Sequence, residues 1–259
     1  MATLETPFEF TGKIGNLTAY KMKGTGKTVI RKAAGHSRKR LKTAPEFIRT
    51  RENNSEFKAC TRLTAGIRKA IFPLVHMGDT QFTGALNRLS KQIQLLDTEH
   101  ERGQRTVQLS RHRHMLRGFS INLPQPFDGF LRHPLHIHTN RDESAAVITI
   151  PAIIPGVNLI LPPKGAFYRF VACLGVVRDA AVSDAARNLA GFMTQTHATP
   201  WEHPASPAPE ISIPLQISGS IPDSDSFLLG IGVEMGQPDR FGEILPVKYS
   251  GAAKVVEVF

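Results

Sequence analysis

Among 259 residues the chain has two cysteines, one tryptophan and three tyrosines. Cys60 and Cys173 lie far apart in sequence, each on an expected apolar face, which excludes a disulfide-stapled scaffold and predicts buried thiols in a reducing compartment. No apolar run approaches the ~20 residues that a membrane helix needs. The first ten residues contain Glu5 and Glu9 and lack both the basic start and the apolar core of a secretory signal. The expectation is a cytoplasmic protein, or part of an assembly built in the cytoplasm, with no membrane partner. Catalytic patterns are also missing. There is no GxSxG elbow, neither cysteine has a histidine close by, and carboxylate pairs such as Asp142-Glu143 fall in expected turns. The expectation is a protein that is not an enzyme and carries no cofactor.

Positive charge is in excess, and it is unevenly placed. The formal net charge is +10, yet residues 1 to 118 carry 23 Lys and Arg against 9 Asp and Glu, whereas residues 119 to 259 carry 9 against 13. Within the first part, Lys21, Lys23, Lys27, Arg31, Lys32, Arg38, Lys39, Arg40, Lys42, Arg49 and Arg51 occur with a single acid, Glu46. Lys58 and Arg62 extend the basic set along the outer face of an expected helix. Such a block repels itself and asks for an acidic partner. One candidate is a nucleic acid, whose phosphates these residues would neutralise. Tyr20 and Phe47 are the aromatics nearby for base stacking, however, and no homeodomain, zinc-finger, RRM or KH signature occurs. The other candidate is a second copy of the chain. With net +14 in one part and −4 in the other, head-to-tail contact is electrostatically favoured, and a contact of that kind builds rings or open filaments.

The pattern predicts an α+β protein in three parts. Residues 1–50 read as a β-ribbon and basic arm: short alternating strands carry Phe8, Phe10 and Ile14, then Leu17, Tyr20 and Met22, then Val29 and Ile30, with turns at Gly15-Asn16 and Gly24-Thr25-Gly26. A ribbon of this size is marginal alone and needs a surface to lie on. Lys32 to Lys42 has no apolar period and reads as an arm or long loop, and Pro45 opens a helical region. Residues 51–118 read as a helical hairpin. Phe57, Cys60, Thr64, Ile67 and Ile71 form the apolar face of the first helix, and Phe82, Leu86, Leu89, Ile93 and Leu96 form the seam of the second, with Asp79 or Thr80 as its cap. A weaker helical piece covers Gln104 to Leu116. Residues 119–259 read as an antiparallel β-sandwich, with strands at 119–123, 135–138, 146–150, 167–178, 189–196, 211–217, 227–235, 243–247 and 254–259.

Two motifs suggest chemistry. Gly24-Thr25-Gly26-Lys27-Thr28 looks like the end of a phosphate-binding loop, but the opening glycine of GxxxxGK[ST] is replaced by Lys21, and the following residues read as a strand. His136-Ile137-His138 with Glu143, preceded by His133 and Gly129, resembles the first metal-binding motif of cupins, since histidines at i and i+2 share a strand face. Pro163-Lys164-Gly165-Ala166-Phe167-Tyr168 resembles the second, with tyrosine in the place of the remaining histidine. His136 and His138 read more simply as ordinary strand residues, with no metal.

Three further stretches, Ile14 to Met22 (IGNLTAYKM), Arg49 to Phe57 (RTRENNSEF) and Arg102 to Arg105 (RGQR), resemble an uncharacterised family of bacterial hypothetical proteins with a basic N-terminal and a β-rich C-terminal portion. That resemblance implies no activity. Read physically, Asn53 or Ser55 is expected to cap the helix, with Arg49 and Arg51 at its start.

Overall fold

The computed structural model describes residues 2–4, 10–22, 26–32, 36–162, 166–183 and 193–259. By internal contacts the chain forms two compact units, Met1–Arg51 and Glu52–Phe259.

The N-terminal unit is a small antiparallel sheet followed by short helices. Strands β1 (Ala2–Leu4), β2 (Gly12–Ile14), β3 (Leu17–Lys21) and β4 (Thr28–Lys32) lie in the order β1-β4-β3-β2. Gly15, at φ +55°, makes the tight turn between β2 and β3 that side chains with a Cβ avoid. Phe8 and the Gly24-Thr25 turn lie outside the described residues. The expected arm differs from a loop: Arg38–Thr43 is a helix, α1. Ser37 supplies the reason, because its hydroxyl accepts from Arg40 N at 3.2 Å and satisfies an N-terminal amide that periodicity alone does not reveal. Pro45 then forces Ala44 into an extended conformation and ends α1.

A turn of 3-10 helix at Pro45–Phe47 leads directly into α2 (Ile48–Ala70). The helix thus starts earlier than expected, and Asn53 and Ser55 lie inside it rather than capping it. Its buried stripe is Glu56, Ala59, Cys60, Leu63, Thr64, Ile67 and Ala70, whereas Phe57 is exposed. A 3-10 segment, Phe72–Met77, links α2 to α3 (Phe82–Leu95). Asp79 Oδ1 accepts from Gln81 N at 2.6 Å and Phe82 N at 2.7 Å, so the expected acid does satisfy the first turn of α3. Leu96, expected in the seam, is exposed, because Ser90 and Gln94 take buried positions and the helix ends at Leu95. The two helices form the expected antiparallel hairpin, with Thr64 facing Ser90 at 3.1 Å and Cys60 facing Gln94 at 3.4 Å. The third helical piece is replaced by two 3-10 turns, Leu109–Arg111 and Arg113–Met115, because Val107 pairs with Ala180 as a β-bridge.

After a single helical turn, α4 (Phe127–Phe130), the chain builds a sandwich. One sheet holds β7 (Phe167–Arg178), β8 (Thr194–Ala198), β10 (Asp225–Pro238), β11 (Ile244–Pro246) and β12 (Ala252–Val258), and the other holds β5 (His136–Asn140), β6 (Ala145–Ile150) and β9 (Ile211–Gln216). Phe119 to Leu123 is not a regular strand. It runs as an irregular edge on β12, with Ile121 N donating to Ala253 O at 2.9 Å.

The long strands β7 and β10 are buried on both faces, which is why they read as continuous apolar runs. On one side Phe170, Ala172, Leu174, Leu229 and Ile231 meet Ile148, Ile150, Ile213 and Leu215 of the smaller sheet. On the other side Val171, Cys173, Val177 and Leu228 meet Leu63, Ile67, Leu74 and Leu86 of the helical layer. Gly175 makes that close approach possible. A Cβ there would lie 2.5 Å from Ala70 O.

Candidate functional site

Most of the described basic residues of the N-terminal unit are exposed. Lys27, Arg31 and Lys32 are exposed on β4 and just before it, and Arg38, Lys39, Arg40 and Lys42 are exposed on α1. Arg49 is exposed on the first turn of α2, and Lys21 closes β3. Lys23 lies outside the described residues. Arg40 is paired with Glu46 at 2.9 Å. Arg51 is committed within the fold, since its Nη1 donates to Ala44 O at 2.8 Å and Leu41 O at 3.2 Å and fixes the corner between α1 and α2. In the C-terminal unit Lys58 is exposed, while Arg62 donates to Ala181 O and Val182 O at 2.8 and 3.1 Å.

The nearby aromatics are already engaged. Arg31 stacks over the Tyr20 ring at 5.5 Å, and Phe47 packs on His36 with ring centroids 4.6 Å apart. Exposed apolar side chains accompany the cations instead, with Ile14 61%, Leu17 46% and Met22 39% exposed. Ile14 and Leu17 face each other across the β2–β3 turn.

Two of the stretches singled out in the sequence meet in space. Arg102 Nη2 donates to Asn53 Oδ1 at 3.0 Å and its Nε lies 3.4 Å from Glu52 Oε2, while Gly103 N donates to Glu56 Oε1 at 2.9 Å. Gly103 has φ +91°, and a Cβ there would stand 2.9 Å from Glu52 Cγ. The RGQR loop therefore latches onto the RTRENNSEF helix, and the two stretches share one structural role. Glu56 completes the latch by accepting from Lys91 Nζ at 2.6 Å, with Gln94 Nε2 donating to the carbonyls of Glu56 and Arg105 at 3.0 Å. Burial raises the Glu56 carboxyl, but the hydrogen bonds from Lys91 and Gly103 outweigh it and hold the group below its ordinary value.

A second buried carboxylate ties the helical layer to the sheet. Glu234 on β10 accepts from His76 Nε2 and from Arg169 Nε at 2.6 Å, and Arg169 stacks on Trp201 at 4.3 Å. Burial opposes ionisation of Glu234, and His76 and Arg169 overcome it. Buried polar residues of this kind have no local signature, since their partners lie up to 158 positions away. Near this layer an open recess of about 500 Å³ is lined by Lys69, Phe72, Pro73, Thr194 and Thr196.

The described residues of the motifs with suggested chemistry do not come together, and Pro163, Lys164 and Gly165 lie outside the described residues. His136 and His138 pair with Thr149 and Val147, on the face of the small sheet opposite to Ile148, and both are exposed. Tyr168 is buried in the sandwich interior. These side chains lie on different sides of a sheet and do not converge. Among the described residues no three His, Cys, Asp or Glu side chains form a metal-ligating group. Lys27-Thr28 leads into β4, with no helix N-terminus behind it. Both cysteines are buried, and burial pushes the Cys60 thiol up to about 11 and Cys173 to about 12. No protein-family model, curated protein or solved structure matches the chain.

The boundary between the units sharpens the charge asymmetry. Residues 1–51 hold 12 Lys and Arg against 3 acids, a net +9, whereas residues 52–259 hold 20 against 19, a net +1. Almost the whole excess charge lies in one fifth of the chain.

Proposed function

We propose that the protein is a non-enzymatic structural subunit that self-assembles through its N-terminal unit. The observation that carries this reading is the coincidence of charge and fold: net +9 is confined to a 51-residue unit that also exposes Ile14, Leu17 and Met22. Aliphatic side chains beside exposed cations suit a protein surface with apolar and acidic groups. A second copy offers such groups, since its exposed Glu243 stands in sequence between Phe241 and Leu245, which are likewise exposed.

Nucleic-acid binding is the second reading, motivated by the same cations. The engagement of Tyr20 by Arg31 and of Phe47 by His36 ranks it lower, since single strands are held by open aromatic faces. Sedimentation velocity and negative-stain microscopy of the nuclease-treated full-length protein separate the two. Concentration-dependent species larger than 28.5 kDa are expected. Particles that exist only with copurified nucleic acid, seen as 260 nm absorbance lost with nuclease, would move the second reading to first place.

A further inference from the structure

The register of the N-terminal sheet determines which backbone groups its two edges present. The β2–β3 turn spans two residues, so Ile14 and Leu17 exchange both backbone hydrogen bonds, and Gly12 and Ala19 form the next bonded pair. Lys13, opposite Thr18, lies between these pairs and directs its own N–H and C=O outward from β2. On β3–β4, Met22 N donates to Lys27 O at 2.9 Å, which makes Tyr20 with Val29 and Thr18 with Arg31 the bonded pairs. Thr28 and Ile30 therefore turn their backbone groups toward β1, opposite Leu4 and Ala2. Thr3 is left between them with its N–H and C=O directed outward. Each edge is thus three residues long, with one central donor and acceptor pair.

The strand directions of the edges are complementary. Four strands that alternate in direction leave β1 and β2 running opposite ways, so a second copy in the same orientation brings its β1 antiparallel to β2 of the first. Joining the outward-directed residues puts Lys13 opposite Thr3, so that their backbone N–H and C=O groups pair. Gly12 has nothing within 4 Å of where a Cβ would stand, and all three residues of β2 are exposed. The two-fold alternative, β2 against β2, would set Lys13 against Lys13, a like-charge pair that cross-strand geometry penalises. An edge lysine thus guards against one pairing and leaves the other open.

We propose that copies of this chain join by β2-to-β1 pairing, which extends the N-terminal sheet from subunit to subunit in one direction. The contact is heterologous, so it propagates as a polar filament or closes as a ring. It rests on the reading that the protein self-assembles and adds a backbone pairing to the charged contact of the same interface. Four strands spaced about 4.8 Å apart give a subunit repeat of roughly 19 Å along the extended sheet.

The test uses full-length protein at 0.15 M salt with three variants. Lys13→Pro and Thr3→Pro each remove one outward N–H without touching a ladder bond, and Lys13→Thr removes the charge but keeps the N–H. Sedimentation velocity is expected to show wild type and Lys13→Thr associating, with each proline variant needing at least tenfold higher concentration at unchanged circular dichroism. Mixed together, the two proline variants keep one intact edge each and are expected to form a 1:1 dimer that grows no further. Wild-type assembly with proline variants that assemble equally well, or a mixture that stays monomeric, overturns the edge pairing and leaves self-assembly standing. A wild type that is monomeric throughout overturns self-assembly itself.

Discussion

In the C-terminal unit 20 basic and 19 acidic residues are interleaved, and the cations repeatedly meet partners within the fold: Lys91 on Glu56, Arg102 on Glu52, Arg117 on Glu257, Arg169 on Glu234, Arg178 on Asp225. In the N-terminal unit 12 cations share 3 acids, and Arg40 and Glu46 make an exposed pair. The first arrangement holds a fold together. The second leaves charge for something outside the unit, because intramolecular neutralisation is arithmetically impossible. The apolar surface divides likewise, since the sheet of the N-terminal unit has strands of three to five residues and exposes Ile14 and Leu17, whereas β7 and β10 run 12 and 14 residues with both faces covered.

If this contrast is correct, substitutions in the C-terminal unit change stability and those in the N-terminal unit change association. The largest stability effect is expected for Glu234→Ala, which leaves Arg169 and His76 beside a buried gap. Breaking such a pair costs about 3–5 kcal/mol, read from urea unfolding. Gly175→Ala comes next, with a methyl forced against the backbone of Ala70 and an expected loss of about 2–3 kcal/mol. Unchanged stability in both would erase the contrast from one side.

Acid titration gives a smaller, graded effect. Asp97 is buried, which raises its carboxyl, but hydrogen bonds from Thr106 N at 2.7 Å, Thr106 Oγ1 at 2.8 Å, His100 and Glu99 N win, and it is held well below its ordinary value, as Glu56 and Glu234 are held below theirs. Carboxyls with depressed folded values contribute stability that is complete above the unfolded values of about 4 and drains as pH falls through the folded ones. Asp179, raised by burial despite bonds from Ser110, acts in the opposite direction. Net stability is therefore expected to fall below about pH 4, and Asp97→Asn should flatten that fall while lowering stability at pH 7. A profile unaltered by Asp97→Asn would mean that Asp97 does not govern the acid limb.

Much of this architecture was legible because periodicity reports burial. The apolar run bounds the strand at Phe167–Arg178, and spacings of three and four with Asp79 at the second start mark the hairpin of α2 and α3. The apolar pattern misleads where polar contacts override it. Phe57 has the right residue type for the core, but Glu56 is buried instead, because Lys91 and Gly103 satisfy its carboxylate across 35 and 47 positions. Arg38–Thr43 has no apolar stripe and still forms a helix, on a cap from Ser37 and a stop at Pro45. Of the basic residues, the exposed subset could be anticipated from charge density alone, whereas the inward hydrogen bonds of Arg51 and Arg62 depend on backbone carbonyls that no sequence pattern marks.

The central proposal is that the exposed cations of the N-terminal unit drive association. Sedimentation velocity of full-length Arg38→Glu/Lys39→Glu/Arg40→Glu against wild type tests it most directly, with a thermal melt of each. The predicted result is association weakened at least tenfold at an unchanged melting temperature. Equal association of the two proteins, or a wild type that sediments as a 28.5 kDa monomer at every concentration, would contradict it.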